Sequence, residues 1–241
     1  MKRLVAIAFA ALVLPGSVSG GTPITVFAAA SLTEVFPRIE TAPRYSFGGS
    51  DQLAVQIRQG APVDVYAAAS PKYTQLLYRD GLVLEPVAFA TNKLIVLVPR
   101  SNPARIRTVY DLRREGVKVV IGDRSVPIGS YTHQILDALG ITADITKNVV
   151  SQETDVKGIV TKVALGEADA GFVYLTDAKP VASRTRTIAL PAWAQPPIRY
   201  EIAVVKASSK QMAAKGFVKK LLSKRGRLLL SKAGFGLPKK R

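Results

Sequence analysis

Short apolar segments alternate with helix-forming segments along most of this chain, and the alternation limits the folds that the chain can adopt. Segment 93–99 (KLIVLVP) is almost entirely apolar, which is typical of a buried strand. Alternating strands and helices predict an α/β fold with largely parallel sheets. Strands are predicted at 24–29, 44–47, 63–68, 93–99, 117–122, 148–151, 170–175 and 200–205.

The helices are predicted mainly from their first residues. Ser31 and Glu34 have the S-x-x-E spacing of a capping box, so a helix is expected from Ser31. Ser70 followed by Pro71 predicts another start, because proline fits the first helical turn. Further helices are predicted at about 51–59, from the Gly-Ser turn near 129 to Leu139, from about Asp155, and in the basic C-terminal region.

Four of the turns between a strand and the next helix have a similar composition. They read AAASLT (28–33), FGGSDQ (47–52), VPIGSY (126–131) and SQETDV (151–156), and none contains Lys or Arg. In open α/β sheets, ligands bind at the carboxyl ends of strands. Helix N-termini favour anions because their N–H groups lack intrahelical partners. Each turn alone is explained by helix capping, but the four together favour an anion site built from hydrogen-bond donors.

The first twenty residues have the layout of a secretory signal peptide. Lys2 and Arg3 precede an apolar run from Leu4 to Leu14, and small residues follow up to Gly20. We expect residues 1–20 to be removed, with cleavage after Ser19 or Gly20. The chain has no cysteine that could carry a lipid anchor or form a disulfide, so we expect a soluble exported protein in the periplasm.

The formal net charge of +17 is concentrated at the C-terminus. Residues 206–241 contain twelve Lys and Arg and no acid. Such a region can bind nucleic acid, an anionic membrane or an acidic partner, or it can form a solvated surface. Phe217 and Phe235 are the only aromatic residues in it, and an exported protein does not meet nucleic acid in the cell. We therefore expect no nucleic-acid binding.

An enzyme is the alternative of a different class. His133 is the only histidine, so a Ser-His-Asp hydrolase would have to use it, and no G-x-S-x-G segment is present. One histidine and no cysteine leave only carboxylates for a metal site. We expect neither enzymatic activity nor a cofactor.

The ordered series ITVFAAASLT, FGGS with LAVQI, GAPVDVY, VPIGSY, DVKGIV and AGFVYLTDA resembles the periplasmic molybdate-binding proteins of ABC importers. The resemblance extends from about residue 24 to 236. It implies a type II periplasmic-binding-protein fold, in which two α/β lobes joined by a hinge hold an oxyanion in the cleft between them. Lobe 1 would comprise residues 21–90 and 200–241, and lobe 2 residues 91–199.

The resemblance also implies the ligand set. The site residues by position are the hydroxyls of Ser31, Ser50 and Tyr174 and the backbone amides of Ile128 and Val156. They would hold molybdate or tungstate as an oxyanion, not as a bare metal ion, and sulfate or phosphate is the alternative ligand. The protein would act as a monomer and deliver the ion to a membrane permease.

Two positions depart from the family pattern. Asp51 stands where small or hydroxyl residues are common, and Ile128 is bulkier than the alanine often found at its position. We expect the Asp51 carboxylate to point away from an anion or to cap its own helix. We expect Ile128 to change the shape of the cavity but not the supply of its amide.

Overall fold

A computed structural model describes residues 22–238 and places them in two five-stranded sheets flanked by helices. The signal peptide predicted at 1–20 lies outside the described residues. The strands are β1 Thr25–Ala29, β2 Arg44–Gly48, β3 Val65–Ala68, β4 Val87–Asn92, β5 Leu94–Pro99, β6 Val119–Gly122, β7 Val149–Glu153, β8 Ala170–Tyr174, β9 Thr185–Ala189 and β10 Ile198–Val204.

The helices fill the segments between the strands, as the alternation predicts. The α-helices are α1 Phe36–Ile39, α2 Ser50–Arg58, α3 Pro71–Arg79, α4 Pro127–Leu139, α5 Thr142–Lys147, α6 Val156–Leu165, α7 Leu175–Ala178, α8 Gln211–Leu222 and α9 Lys224–Ala233. Short 3-10 helices span Ala30–Leu32, Val109–Arg113, Lys179–Val181 and Ala192–Ala194. None of the helices between residues 22 and 238 has the length and hydropathy that crossing a membrane requires.

The two sheets have equivalent topologies. The first has the order β2-β1-β3-β10-β4, and the second has the order β7-β6-β8-β5-β9. Four strands of each sheet run in one direction, and only β10 in the first and β5 in the second run the other way. The prediction of an α/β fold with largely parallel sheets is therefore confirmed.

The reversed strands lie where the chain passes between the lobes. Strand β4 ends at Asn92 in the first sheet, and β5 begins at Leu94 in the second, with Lys93 between them. The chain returns between β9 and β10. We call the part containing the first sheet lobe 1 and the part containing the second sheet lobe 2. The predicted lobe limits, at 90/91 and 199/200, fall two residues from these strand ends and remain predictions.

The basic C-terminal helices belong to lobe 1. Helix α8 packs against β10. The ring of its Phe217 contacts the buried ring of Phe36, with centroids 5.7 Å apart. Their lysines and arginines lie mostly on the outside, and Lys220 pairs with Glu40. This region is thus a solvated helical surface anchored by an apolar inner face.

The predicted capping box at Ser31 is wrong. The chain forms a single 3-10 turn, Ala30–Leu32, with no side-chain cap, and the first α-helix begins only at Phe36. The Ser31 hydroxyl is buried and hydrogen-bonds the hydroxyl of Tyr200 on β10 instead. A tertiary contact thus replaces the local contact that the spacing predicts.

Two other predicted helix starts are confirmed. Ser70 caps α3, accepting a hydrogen bond from the amide of Lys72, and Pro71 occupies the first helical position. Asp155 caps α6 through its carboxylate, which accepts hydrogen bonds from the amides of Lys157 and Gly158. The second cap fixes a helix N-terminus at the boundary between the lobes.

Gly129 in the first turn of α4 permits close packing on the end of β6. A Cβ atom there would lie 1.9 Å from the carbonyl oxygen of Asp123 and 2.4 Å from that of Gly122. We expect Gly129→Ala to lower the free energy of unfolding by about 1–3 kcal/mol, because backbone atoms would have to move.

Gly216 in α8 is the matched control, because a Cβ atom there would meet nothing within 4 Å. Gly216→Ala should raise the free energy of unfolding by about 0.5–1 kcal/mol through its helix propensity. Urea unfolding of both variants provides the measurement. Changes of the same sign would contradict the packing described for Gly129.

Candidate functional site

One cavity lies at the carboxyl ends of the strands of both sheets, and all five predicted site residues line it. It measures about 20 Å³, room for one compact group, since about 10–15 Å³ measured in this way holds a water molecule. The lining residues are Ala29, Ala30, Ser31, Gly48, Gly49, Ser50, Ala69, Val126, Pro127, Ile128, Asp155, Val156 and Tyr174.

Ser50 is the first residue of α2, and its hydroxyl is held in one orientation. Its Oγ accepts a hydrogen bond from the backbone N–H of Ala69, 3.1 Å away, at the end of β3. A backbone amide can only donate, so the hydrogen of the Ser50 hydroxyl remains available to another acceptor. The side chain is buried and lines the cavity, so that acceptor would be a bound ligand.

Ser31 reaches the same cavity from the turn after β1. Its side chain is buried, and its Oγ lies 2.9 Å from the hydroxyl oxygen of Tyr200. The small residues Ala29 and Ala30 precede it in the lining, so no large side chain separates the cavity from the backbone of this turn. The run of alanines therefore permits close approach of a ligand to Ser31.

Two backbone amides of lobe 2 complete the set of donors near helix N-termini. Ile128 is the second residue of α4 and Val156 the first residue of α6, positions whose N–H groups have no acceptor within the helix. The Asp155 carboxylate binds the next two amides of α6, those of Lys157 and Gly158, and so leaves that of Val156 to the cavity. Both helices also present the positive ends of their dipoles there.

Tyr174, the last residue of β8, carries the least satisfied polar group of the site. Its side chain is buried, and its hydroxyl has no hydrogen-bond partner among the described residues. Burial raises the pKa of Tyr174 well above its ordinary value, and the charge of Asp177 adds to the effect. The phenol is therefore neutral and can donate a hydrogen bond. An unpaired buried hydroxyl is costly, so this group is available to a bound ligand.

The hydrogen-bond donors described above are neutral groups. No Lys or Arg occurs among the described lining residues of the cavity. Lys157 on α6 faces acids instead, with its Nζ 3.2 Å from Asp177 Oδ1 and 3.9 Å from Glu34 Oε1. Within residues 22–238, His, Cys, Asp and Glu nowhere form a group of three or more that could hold a metal ion.

Asp51 is not among the described residues that line the cavity, and its side chain contacts lobe 2. Its Oδ2 lies 3.1 Å from the hydroxyl oxygen of Ser125, while its Oδ1 is buried without a partner among the described residues. The hydroxyl of Tyr73 on α3 donates to the backbone oxygen of the same Ser125. Burial, together with the charge of Asp51, raises the pKa of Tyr73 to about 12. These contacts join the lobes beside the cavity.

Ile128 lines the cavity and also packs against the neighbouring strand. Its Cγ2 atom lies against Gly122 at the end of β6, 2.6 Å from the position that a Cβ on that glycine would occupy. The glycine thus leaves room for part of the larger side chain.

His133 is not part of this site. It lies half-buried on α4, and its Nδ1 is 3.4 Å from a guanidinium nitrogen of Arg124. Burial lowers the pKa of His133, and the charge of Arg124 lowers it further. The structure thus places the ring beside a cation and not beside a serine hydroxyl.

The sheet topology and the cavity between the lobes define a two-lobed binding protein. The sequence model of the family of bacterial extracellular solute-binding proteins matches residues 24–236. The chain belongs to this family.

Relatives within reach of sequence comparison include molybdate-binding proteins. The molybdate-binding protein ModA of Mycobacterium tuberculosis is 38% identical in an alignment that covers 92% of this chain and 88% of the relative. The ModA of Haemophilus influenzae is 30% identical in an alignment that covers 98% of this chain and 99% of the relative.

Solved structures share the fold. The periplasmic molybdate-binding protein of Azotobacter vinelandii matches with a TM-score of 0.79 at 23% identity, over 90% of this chain and all of that one. The sulfate-binding protein SubI of M. tuberculosis matches with a TM-score of 0.78 at 18% identity, over 91% and 88%. Both are two-lobed binding proteins, so the predicted fold is confirmed.

Three residues that contact the serines of the cavity, directly or through one another, could not be identified from sequence motifs. Ala69 supplies the amide that holds Ser50, Tyr200 supplies the hydroxyl beside Ser31, and Asn92 contacts Tyr200. Asn92 is the last residue of β4 and Tyr200 the third residue of β10, and both are far from Ser31 in sequence. The only signal in the sequence for their contacts with the site is a polar side chain near the end of each strand.

The unpaired hydroxyl of Tyr174 has a measurable consequence for stability. We expect the ligand-free Tyr174→Phe variant to have a free energy of unfolding equal to or above that of wild type, because a buried polar group without a partner is removed. Urea unfolding in buffer without oxyanions provides the measurement.

Tyr66→Phe is the control, because the equally buried hydroxyl of Tyr66 donates to the carbonyl oxygen of Ser50 at 2.6 Å. Its loss should lower the free energy of unfolding by about 0.5–1.5 kcal/mol. A Tyr174→Phe variant that is destabilised as much as this control would show that the Tyr174 hydroxyl has a structural partner.

Proposed function

We propose that this protein captures a tetrahedral oxyanion, molybdate or tungstate, and delivers it to the membrane permease of an ABC importer. The proposal rests on one observation above all. The buried hydroxyl of Tyr174 has no partner among the described residues, and Tyr174 lines a cavity that two serines and two helix N-termini also line. Such convergence of neutral donors from two lobes suits a small anion that accepts hydrogen bonds on every side.

The donors match the chemistry of a fully deprotonated oxyanion. Ser31, Ser50 and Tyr174 supply O–H groups, and Ile128 and Val156 supply N–H groups. The one acid in the lining, Asp155, already accepts two hydrogen bonds from α6. Both of these bonds use its Oδ1, so donors outnumber acceptors in the lining. An oxyanion without an O–H of its own, such as molybdate, tungstate or sulfate, matches this set of donors best.

Five such bonds are sufficient for capture. Hydrogen bonds to a charged group contribute about 1.5–3 kcal/mol each, or about 7–15 kcal/mol together. Association costs about 4 kcal/mol or more. Micromolar affinity, about −8 kcal/mol, is therefore within reach when the lobes enclose the ion and exclude water.

Molybdate is favoured over sulfate by the relatives. Proteins 30–38% identical over nearly the whole chain are molybdate-binding proteins. Sulfate remains the second candidate because a sulfate-binding protein shares the fold. Tungstate has the charge and shape of molybdate and nearly its size, so the same donors serve both.

The transport role follows from the family and from the N-terminal sequence. Membership in the extracellular solute-binding proteins supports export, as do the charged and apolar residues of segment 1–20. Export without a lipid-bearing cysteine favours a periplasmic location. The protein would act as a monomeric carrier and not as an enzyme, in keeping with a family of solute-binding proteins.

Calorimetric titration of the mature protein with molybdate, tungstate, sulfate and phosphate tests the proposal. We expect one site that prefers molybdate or tungstate. Ser31→Ala and Ser50→Ala should each weaken binding by about 1–3 kcal/mol, because each leaves a buried anionic oxygen without a donor. Ser130→Ala, which alters a half-exposed serine of α4 outside the lining, is the matched control and should bind as wild type.

The same titration at about 0.05 M and about 0.5 M chloride separates the cavity from the basic surface. Exposed charges are screened by salt, whereas neutral donors in an enclosed cavity are not. Affinity that falls steeply with chloride, several equivalent sites, or serine variants that bind as wild type would refute the proposal.

A further inference from the structure

A chain of hydrogen bonds leads from the point where the polypeptide enters lobe 2 to the hydroxyl of Ser31. The Asn92 side-chain nitrogen lies 3.3 Å from the hydroxyl oxygen of Tyr200, which lies 2.9 Å from the Oγ of Ser31. Both Tyr200 and Ser31 are buried. Each hydroxyl has a single hydrogen, so the direction of the chain decides whether Ser31 can donate to a ligand.

The direction is set at Asn92 by the backbone. The N–H of Lys93 donates to Asn92 Oδ1 at 2.9 Å, and a backbone N–H cannot accept. The oxygen of the Asn92 amide is therefore identified, and the group facing Tyr200 is its NH₂. The second hydrogen of this NH₂ bonds the hydroxyl oxygen of Thr176 in lobe 2, 3.0 Å away.

The hydroxyl of Tyr200 links Asn92 to Ser31. Its oxygen accepts from Asn92, and the only other hydrogen-bond partner of this hydroxyl among the described residues is Ser31 Oγ. A hydrogen directed from Tyr200 to Ser31 is therefore the arrangement in which the phenol both accepts and donates. Burial raises the pKa of Tyr200 above its ordinary value, so the phenol keeps that hydrogen. The ring is held by edge-on packing against Phe89 and Phe235, with centroids 6.0 Å and 5.4 Å away.

We propose that Asn92 and Tyr200 are positioning residues that make Ser31 a hydrogen-bond donor toward the bound oxyanion. The Oγ of Ser31 accepts from Tyr200, and its hydrogen is left for the ligand. Ser50 is in the same state, since the amide of Ala69 occupies its oxygen. Aligned hydrogen bonds also polarise one another, which strengthens the last donor of the chain. This inference rests on the proposed function.

The side chain of Asn92 lies where the two lobes are joined. Asn92 is the last residue of β4 and adjoins Lys93, where the chain crosses between the sheets. Its NH₂ binds Tyr200 in lobe 1 and Thr176 in lobe 2 at once. The amide that orients Tyr200 is therefore also a contact between the lobes.

Two substitutions test the direction of the chain. Tyr200→Phe keeps the packed ring and removes the hydroxyl, so Ser31 loses its fixed orientation but keeps its hydrogen. We expect molybdate affinity to fall roughly 3- to 10-fold. Asn92→Asp replaces a donor by an acceptor, which draws the hydrogen of Tyr200 to itself and that of Ser31 to Tyr200. Its loss of affinity should be larger than that of Tyr200→Phe.

The Ser31→Ala background separates this effect from packing and from the added charge. With Ser31 absent, Tyr200→Phe should change molybdate affinity by less than about 2-fold, because neighbouring residues that act through one another are not additive. In the same Ser31→Ala background, Asn92→Asp should retain only the part of its loss of molybdate affinity that its added charge causes. Tyr45→Phe, which removes a phenol bonded to the carbonyl oxygen of Glu40 at 2.6 Å, is the control and should leave affinity unchanged.

Calorimetry with molybdate on these six proteins and wild type decides the matter. Equal effects of Tyr200→Phe with and without Ser31, or an Asn92→Asp effect that is the same in both backgrounds, would overturn the proposal. If Asn92→Asp does not fold, the effects of Tyr200→Phe on molybdate affinity with and without Ser31 are sufficient to decide the question. A wild-type protein that binds no oxyanion rejects the proposed function and this inference with it, whereas wild-type binding that Tyr200→Phe leaves intact rejects only the inference.

Discussion

One constraint governs the proposed site: a multiply charged ion would be bound where the described lining residues include no positive side chain. Neutral groups must then supply every interaction, and each must direct a hydrogen to the same small volume. In the proposal, strand ends and helix N-termini of both sheets do this through Ser31, Ser50 and Tyr174 and the amides of Ile128 and Val156, all of which line the cavity. The two-lobed fold is the means by which donors from distant parts of the sequence surround one cavity.

The sequence predicts much of this arrangement because strands, turns and caps are local. The apolar run 93–99, the Ser70-Pro71 start and the Asp155 cap all lie where the pattern places them. The capping box at Ser31 fails because a buried hydroxyl on a distant strand competes for the serine. Sequence analysis does not identify Asn92, Ala69 and Tyr200 for the same reason. Their contacts with the serines or with one another form only when distant strands come together in the sheets.

Asp51, one of the two departures from the family pattern, lies at the boundary between the lobes. Asp51 and Tyr73 of lobe 1 both contact Ser125 of lobe 2, beside the cavity. Gly49, which lines the cavity next to Asp51, also meets lobe 2, since a Cβ there would come within 2.6 Å of the carbonyl oxygen of Thr154. The lobes therefore meet closely around the site, which is what the exclusion of water from a bound anion requires.

A crystal structure of the mature protein with molybdate, phased on the anomalous signal of molybdenum, tests the central claim most directly. The account predicts one molybdenum peak in the cavity between the lobes. Its oxygens should lie within hydrogen-bond distance of the hydroxyls of Ser31, Ser50 and Tyr174 and of the amides of Ile128 and Val156. A molybdenum peak held by lysines or arginines of the basic C-terminal helices, with these five donors unbound, would contradict it.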